Sequence, residues 1–183
     1  MNESNVNGAA EKAFELGEKY ESECIGCAQT TIAAIFEALG IWNDDVFNAA
    51  SGLANGLGLT GDGSCGALIG ASMVMGYIFP RKHKDFQDMY KPMKSYGLVK
   101  NLHSQYVKKY GSTRCSEVQK SGMTVTWTLW ELNSYNEEMK ADMVNYCSKI
   151  VANVAKMATK IIIENGFKPE MDSLQYNNKL LFN

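Results

Sequence analysis

The sequence contains few prolines, almost no histidine and no long hydrophobic run. Its 183 residues include three prolines and two histidines. Both histidines, His83 and His103, have polar neighbours in the sequence, so we expect them to be solvated rather than metal ligands or catalytic bases. The longest apolar run, residues 67–79, is too short to span a bilayer and is closed by Pro80. The sequence therefore argues against a histidine-centred site and predicts no transmembrane helix.

Strong net charge is also missing. The chain carries 18 basic and 20 acidic residues, for a formal net charge of −2. Arg81, Lys82 and Lys84 form the one notable basic cluster, which is too short for the footprint of a nucleic-acid-binding protein. The N-terminal stretch MNESNVNGAAEK lacks the basic start and apolar core of a secretory signal. We therefore expect a cytoplasmic protein that binds no nucleic acid.

Helical spacing of apolar residues dominates the rest of the chain. This spacing predicts helices over residues 8–20, 24–40, 67–79, 86–111 and 134–165, with a short helix capped by Asn43 within residues 43–56. Residues 123–133 alternate threonines with apolar residues, and we interpret them as an irregular connection. The pattern predicts an all-α, single-domain helical bundle over residues 1–183, with a polar C-terminal tail over residues 167–183.

A glycine-rich loop leads into the central predicted helix. Six glycines fall between residues 52 and 66, and the stretch GDGSCGALIG places Cys65 where this loop becomes a helix. We expect Asp62 or Ser64 to cap that helix. A thiol at a helix N-terminus faces free amide groups and the positive end of the helix dipole, which predicts a lowered pKa for Cys65.

Five cysteines are the strongest chemical signal. Cys24 and Cys27 form a Cys-x-x-Cys pair, a spacing shared by redox couples, zinc sites and iron–sulfur sites. Cys115 follows a glycine and serine break, and Cys147 lies on the apolar stripe of the last helix, where a cysteine can simply fill the core. In a chain without a secretory signal, cysteines more often bind metal, perform redox chemistry or pack in the core than form structural disulfides.

Four segments together resemble a known family. CIGCAQTT, CGALIGASMVMGY, YGSTRCSEV and YCSKIVANVAKMA, in this order, resemble the redox-active protein family whose signature is written C_GCAxxG_C_C. The resemblance covers about residues 10–160, which we interpret as the cysteine redox core. It implies that the functional cysteines are Cys27, Cys65, Cys115 and Cys147, whereas Cys24 lies outside the set. It also implies a small-residue element for binding a cofactor, which consists of Gly66, Ala67 and Gly70.

Two classes of function are considered for these cysteines. In the first, the four cysteines converge to bind an iron–sulfur cluster as metal ligands, or they cycle between dithiol and disulfide with Cys27 or Cys65 as the attacking thiol. In the second, the chain is a non-catalytic helical accessory module of a transporter or regulator, with structural zinc or core cysteines. Long gaps between the cysteines favour the first class and, within it, we lean towards the cluster. The redox partner, association with a membrane transporter, self-association and enzymatic activity stay open at this point.

Overall fold

The structure is a computed structural model that describes residues 3–123 and 137–169. Helices account for most of this part of the chain and confirm the predicted all-α bundle. The seven α-helices of the described residues are α1 (Glu3–Cys24), α2 (Cys27–Leu39), α3 (Asp44–Ala49), α4 (Gly66–Ile78), α5 (Met93–Tyr110), α6 (Cys115–Lys120) and α7 (Glu137–Glu164). A 3-10 turn, His83–Asp85, lies between α4 and α5.

Helix α2 forms the centre of the core. Eleven of its 13 residues are buried, including Ile32, Ile35 and Phe36. Helices α1, α4 and α7 pack around α2, and α5 packs against α4 and α7. A helix that is apolar on nearly all sides needs neighbours on all sides, which explains why α2 is enclosed rather than lying on the surface.

Helices α1 and α7 approach each other closely at a pair of small residues. A Cβ atom placed on Gly17 would lie 3.0 Å from Cα of Ala152, so the two backbones nearly touch there. At the edge of this contact, Nζ of Lys156 donates to the Glu11 carboxylate at 2.6 Å. The two long helices therefore run side by side and bring the start of α2 next to the middle of α7.

Small residues also set the distance between α2 and α4. A Cβ atom on Gly66 would lie 2.4 Å from Cys27 Sγ, and one on Gly70 would lie 2.3 Å from the carbonyl oxygen of Ala28. Side chains at either position would force the helices apart. The two glycines therefore hold the N-terminal ends of α2 and α4 together.

The glycine-rich loop is pinned by backbone hydrogen bonds to the start of α6. The Cys65 N–H donates to the carbonyl of Thr113 at 2.8 Å, and the Cys115 N–H donates to the carbonyl of Gly63 at 2.9 Å. These bonds form an isolated antiparallel bridge between Ser64 and Arg114. An ion pair between Arg114 and Asp62 spans the same junction on the surface.

Several predicted helix boundaries are wrong. The second helix begins at Cys27 instead of residue 24, because Ile25 and Gly26 both have positive φ angles and end α1 at Cys24. The short helix capped by Asn43 is confirmed, but it ends at Ala49. Within residues 86–111, Pro92 and Gly97 are the expected positions of a helix start or kink, and α5 indeed begins directly after Pro92, so residues 86–92 are not part of it. Helix α6 was not predicted.

Two sequence predictions cannot be compared with the structure. Apart from Met123, the segment predicted as an irregular connection lies outside the described residues, and so does the tail after Pro169. Among the helices of the described ranges, none combines the length and hydropathy that a membrane crossing needs.

We expect Gly70→Ala to destabilise the fold, because the added methyl group meets the Ala28 backbone, which cannot move like a flexible side chain. The free energy of unfolding should fall by about 1–3 kcal/mol, as is usual for overpacking. Urea denaturation followed by circular dichroism measures this change.

Gly76→Ala is the matched control on the same helix, where nothing lies within 4 Å of the new Cβ. It should stabilise by up to about 1 kcal/mol through helix propensity. Equal effects of the two changes would contradict the close-packing interpretation.

Candidate functional site

One cavity, which we call the cysteine cavity, is lined by four of the five cysteines. Its volume is about 50 Å³, more than one water molecule needs, and its walls are mainly apolar. The four sulfurs come from four different helices or helix starts. The lining residues are Glu21, Ile25, Gly26, Cys27, Ala54, Asn55, Leu59, Cys65, Ala67, Cys115, Val118, Gln119, Cys147, Ile150 and Val151.

Cys27 reaches the cavity because the chain turns sharply between α1 and α2. Ile25 has φ 50° and Gly26 has φ 142°, and Cys27 is then the first residue of α2. Positive φ is rare for a β-branched residue, so the local backbone at Ile25 is strained. This turn separates the Cys-x-x-Cys pair: Cys27 is buried in the cavity wall, whereas Cys24 is exposed at the end of α1.

Cys65 and Cys115 are brought together by the bridge between Ser64 and Arg114. Each cysteine directly follows one of the bridged residues, and each begins or caps a helix. As predicted, Cys65 lies where the glycine-rich loop becomes α4, but neither Asp62 nor Ser64 caps that helix. Cys65 itself is the N-cap residue, and no side chain makes a capping hydrogen bond.

Cys147 is supplied by α7, which is held against α6 by its neighbour Tyr146. The Tyr146 ring packs directly over Gly122, and its hydroxyl donates to the carbonyl of Val118 at 3.2 Å. Cys147 is half-buried and lines the cysteine cavity together with Ile150 and Val151, one helical turn further on. The last of the four sulfurs therefore comes from the far end of the chain.

Asn55 links two of the cysteines across the cavity. Its backbone N–H donates to Cys27 Sγ at 3.4 Å, and its side-chain oxygen accepts from Cys115 Sγ at 3.0 Å and from Gln119 Nε2 at 2.9 Å. The side chain is only 7% exposed, and its Nδ2 has no hydrogen-bond partner within the described residues. A buried donor without a partner costs free energy, so a ligand that accepts a hydrogen bond from this Nδ2 would be favoured in the cavity.

Burial raises the thiol pKa of all four cavity cysteines above its usual value. For Cys65 the amides of Ala67 and Leu68 favour the thiolate, as expected at a helix N-terminus, but burial outweighs them. The predicted lowering of the Cys65 pKa is therefore wrong. For Cys27, Cys115 and Cys147, the next cause after burial is repulsion by the Cys65 thiolate. Ionisation of Cys65 therefore opposes ionisation of the other three cavity thiols.

Glu21, at the end of α1, is a buried carboxyl in the same cavity. It is 4% exposed, and its Oε2 accepts hydrogen bonds from Thr30 Oγ1 at 2.6 Å and from the Gly26 N–H at 3.2 Å. Burial raises the pKa of this carboxyl to about 7, although both hydrogen bonds act in the opposite direction. Its negative charge also raises the pKa of the Cys27 and Cys147 thiols.

Tyr106, on α5, approaches the cavity from behind Cys65. Its side chain is fully buried, and its hydroxyl lacks a partner with ordinary hydrogen-bond geometry among the described residues. The hydroxyl still lies near enough to the Cys65 thiol to favour the thiolate form. Burial, followed by repulsion from Cys65, raises the pKa of the Tyr106 phenol well above its usual value.

Glu21, Asn55 and Tyr106 were not predicted from the sequence. One signal for Glu21 was present, because the buried stripe of α1 continues from Gly17 through Tyr20 to Glu21, which places an acidic residue on an inward face. Of the predicted cofactor-binding element, Ala67 lines the cavity, whereas Gly66 and Gly70 pack against α2. The binding role of these three residues stays a prediction.

The cysteine side chains are not arranged as a ready metal site. In residues 3–123 and 137–169, no group of three or more His, Cys, Asp and Glu side chains is positioned to hold a metal ion. All five cysteines are free thiols. The cavity therefore supplies four thiol donors, but their described positions do not by themselves form a metal site.

The chain matches a model of a known protein family. This family model, described as "Putative redox-active protein (C_GCAxxG_C_C)", matches residues 25–161, which include all four cavity cysteines. No curated protein and no solved structure matches the chain.

We expect alkylation to separate Cys24 from the other four cysteines in the metal-free, reduced protein. The thiolate is the reactive form of cysteine. Each unit by which burial raises a thiol pKa lowers the fraction of thiolate about tenfold. Iodoacetamide labelling followed by mass spectrometry should modify Cys24 first and the cavity cysteines more than about tenfold more slowly. All five should react at similar rates in urea. Fast native labelling of any cavity cysteine would contradict the described burial.

Glu21→Gln should change how stability depends on pH. Because the folded pKa is about 7 and the ordinary value is 4.5, the folded protein keeps a proton that the unfolded chain releases across this range. The free energy of unfolding of the wild type should therefore decrease as pH rises from about 4.5 to about 7, by up to about 3 kcal/mol. Urea denaturation at several pH values should show this slope removed in Glu21→Gln. Glu15→Gln, on the exposed face of α1, should keep it.

Proposed function

We propose, from the premise that the chain belongs to the C_GCAxxG_C_C family of redox-active proteins, that the cysteine cavity is its redox centre and binds an iron–sulfur cluster. Cys27, Cys65, Cys115 and Cys147 would be the ligands. The single observation that carries this proposal is that four sulfurs, far apart in the sequence, line one small and mainly apolar cavity.

The donor set fits such a cluster. Cysteine thiolates are the usual ligands of iron–sulfur clusters, and iron ions supply the positive charge that four neighbouring thiolates lack on their own. The Asn55 N–H already donates to Cys27 Sγ, and the amides of Ala67 and Leu68 favour the thiolate form of Cys65. Hydrogen bonds of this kind tune the reduction potential of a cluster, and the unpartnered Nδ2 of Asn55 adds one more donor. When bound, an iron–sulfur cluster supplies one-electron transfer.

The protein residues would control water and protons at this centre. Ile150, Val151 and Val118 form an apolar wall that limits access of water to the sulfurs. Neutral thiols must lose their protons before they can act as ligands. Glu21 has a pKa of about 7 and lies near Cys27 and Cys147, so it can accept one of these protons at neutral pH.

A second candidate is a dithiol centre without metal. It is favoured by the observation that no ready metal site is present in the described residues. In this case two cavity thiols would be oxidised to one disulfide. Their two electrons and two protons would pass to the disulfide of a partner protein, which would be reduced to a dithiol. Cys65, whose thiolate form is favoured by the amides at the start of α4, is the proposed attacking thiol.

Anaerobic purification with metal and sulfide analysis distinguishes the candidates. With a cluster, the protein should show a broad visible absorption band and contain iron and acid-labile sulfide. Removing a residue that only hydrogen-bonds to a metal ligand weakens metal binding roughly 10–100-fold. Replacing a ligand itself should weaken iron binding at least as much. Serine in place of Cys27, Cys65, Cys115 or Cys147 should therefore remove most of the iron.

Cys24→Ser is the matched control, because Cys24 is exposed and outside the cavity. It should keep the absorption band and the iron. A metal-free protein whose titratable thiols fall by two on oxidation and recover on reduction would support the dithiol candidate instead. Stoichiometric zinc in a colourless protein would support the accessory-module hypothesis and contradict both redox candidates.

A further inference from the structure

A second feature of the molecule lies away from the cysteine cavity. Residues 81–96 connect α4 to α5 and form the first turn of α5, and we call them the basic-aromatic stretch. None of the residues that line the cysteine cavity belongs to this stretch. The inference drawn from it is therefore independent of the redox proposal.

Large apolar side chains of the stretch are unusually exposed. Tyr90 is 76% exposed, Met89 is 69% and Phe86 is 68%. Met93 and Tyr96, one helical turn apart at the start of α5, are also more than half exposed. Clusters of exposed apolar side chains on a globular fold mark contact surfaces, whereas single ones need no explanation.

The backbone under these side chains is anchored. Pro92, which directly precedes α5, is buried, and so are Ser95 and Leu98 on the inner face of this helix. The Asp88 carboxylate accepts the Tyr90 N–H at 2.9 Å, and the Met93 N–H donates to the Tyr90 carbonyl at 3.1 Å. The exposed side chains are therefore presented on a defined turn.

Cationic residues alternate with these apolar side chains. The stretch contains five basic and two acidic residues, although the whole chain has a net charge of −2. Lys82, Lys84, Lys91 and Lys94 are exposed, and the Arg81 guanidinium lies 4.9 Å from the centre of the Phe86 ring. The cations and the aromatic rings thus share one surface.

The presence of cations and exposed apolar side chains on one surface indicates which kind of partner binds there. The buried centres of protein–protein interfaces are depleted in lysine, so a second copy of this chain or another protein fits poorly here. An anionic lipid surface attracts lysine and arginine and also accepts aromatic and methionine side chains at the level of its headgroups. We infer that the basic-aromatic stretch attaches the protein peripherally to an anionic lipid surface.

The position of the stretch is compatible with such attachment. Lys94 Nζ lies 4.2 Å from the ring centre of Phe79, at the C-terminal end of α4, whereas Cys65 lies at the N-terminal end of the same helix. The helical rise of 1.5 Å per residue separates these ends by about 20 Å. Attachment through the stretch would therefore leave the cysteine cavity uncovered.

Vesicle flotation of the full-length protein tests the inference. The protein should float with vesicles of phosphatidylcholine mixed with phosphatidylglycerol, and it should remain unbound with phosphatidylcholine alone. Binding should weaken as salt concentration rises, because salt screens the attraction to anionic headgroups. Lys82→Glu/Lys84→Glu and, separately, Met89→Ser/Tyr90→Ser should each reduce the bound fraction at least about tenfold.

Lys19→Glu/Lys120→Glu is the matched control, since it changes the charge equally at exposed sites outside the stretch. It should bind like the wild type, and circular dichroism should show that all variants fold. Equal binding to both vesicle types, or no binding to either, would overturn the inference. The inference would also be overturned if light scattering showed a dimer that dissociates in Met89→Ser/Tyr90→Ser while vesicle binding stays unchanged.

Discussion

The contact between the N-terminal ends of α2 and α4 is the constraint on which the rest of the site depends. Gly66 lies against Cys27 Sγ, and Gly70 lies against the Ala28 carbonyl. This contact places Cys27 beside Cys65, the bridge between Ser64 and Arg114 adds Cys115, and the packing of Tyr146 on Gly122 adds Cys147. Close glycine contacts and one backbone bridge, rather than the cysteines themselves, therefore determine which sulfurs line the cavity.

Burial dominates the chemistry of the cavity. A thiol at a helix start is ordinarily expected to ionise easily, and the amides at Cys65 do act in that direction. The apolar walls act more strongly, so the four thiols are held neutral while the pKa of the Glu21 carboxyl is shifted to near neutrality. The site therefore holds titratable thiol and carboxyl protons and an unpartnered amide donor around a mainly apolar cavity. These are the conditions under which the binding of cations and the release of protons become coupled.

Much of the fold was predictable from the sequence, because helical periodicity is a local signal. The all-α class, the helix predicted over residues 67–79 and observed over Gly66–Ile78, and the position of Cys65 at its start follow from that periodicity and from the glycine-rich approach. The break at Ile25 and Gly26 was not predictable, because the spacing of Cys24 and Cys27 fits a continuous helix equally well. Asn55 and Tyr106 could not be found either, since only tertiary contacts bring them to the sulfurs. The pKa of Cys65 was predicted in the wrong direction because its burial is also a tertiary property.

The order in which the sulfurs occur along the chain has a consequence for biosynthesis. Cys27, Cys65 and Cys115 leave the ribosome before Cys147, and α7 must then fold back along α1 before the fourth sulfur reaches the cavity. Before α7 has been synthesised, one wall of the cavity is missing and its apolar lining is in contact with water. Any ligand that needs all four sulfurs can therefore bind only after α7 has been synthesised and has packed along α1.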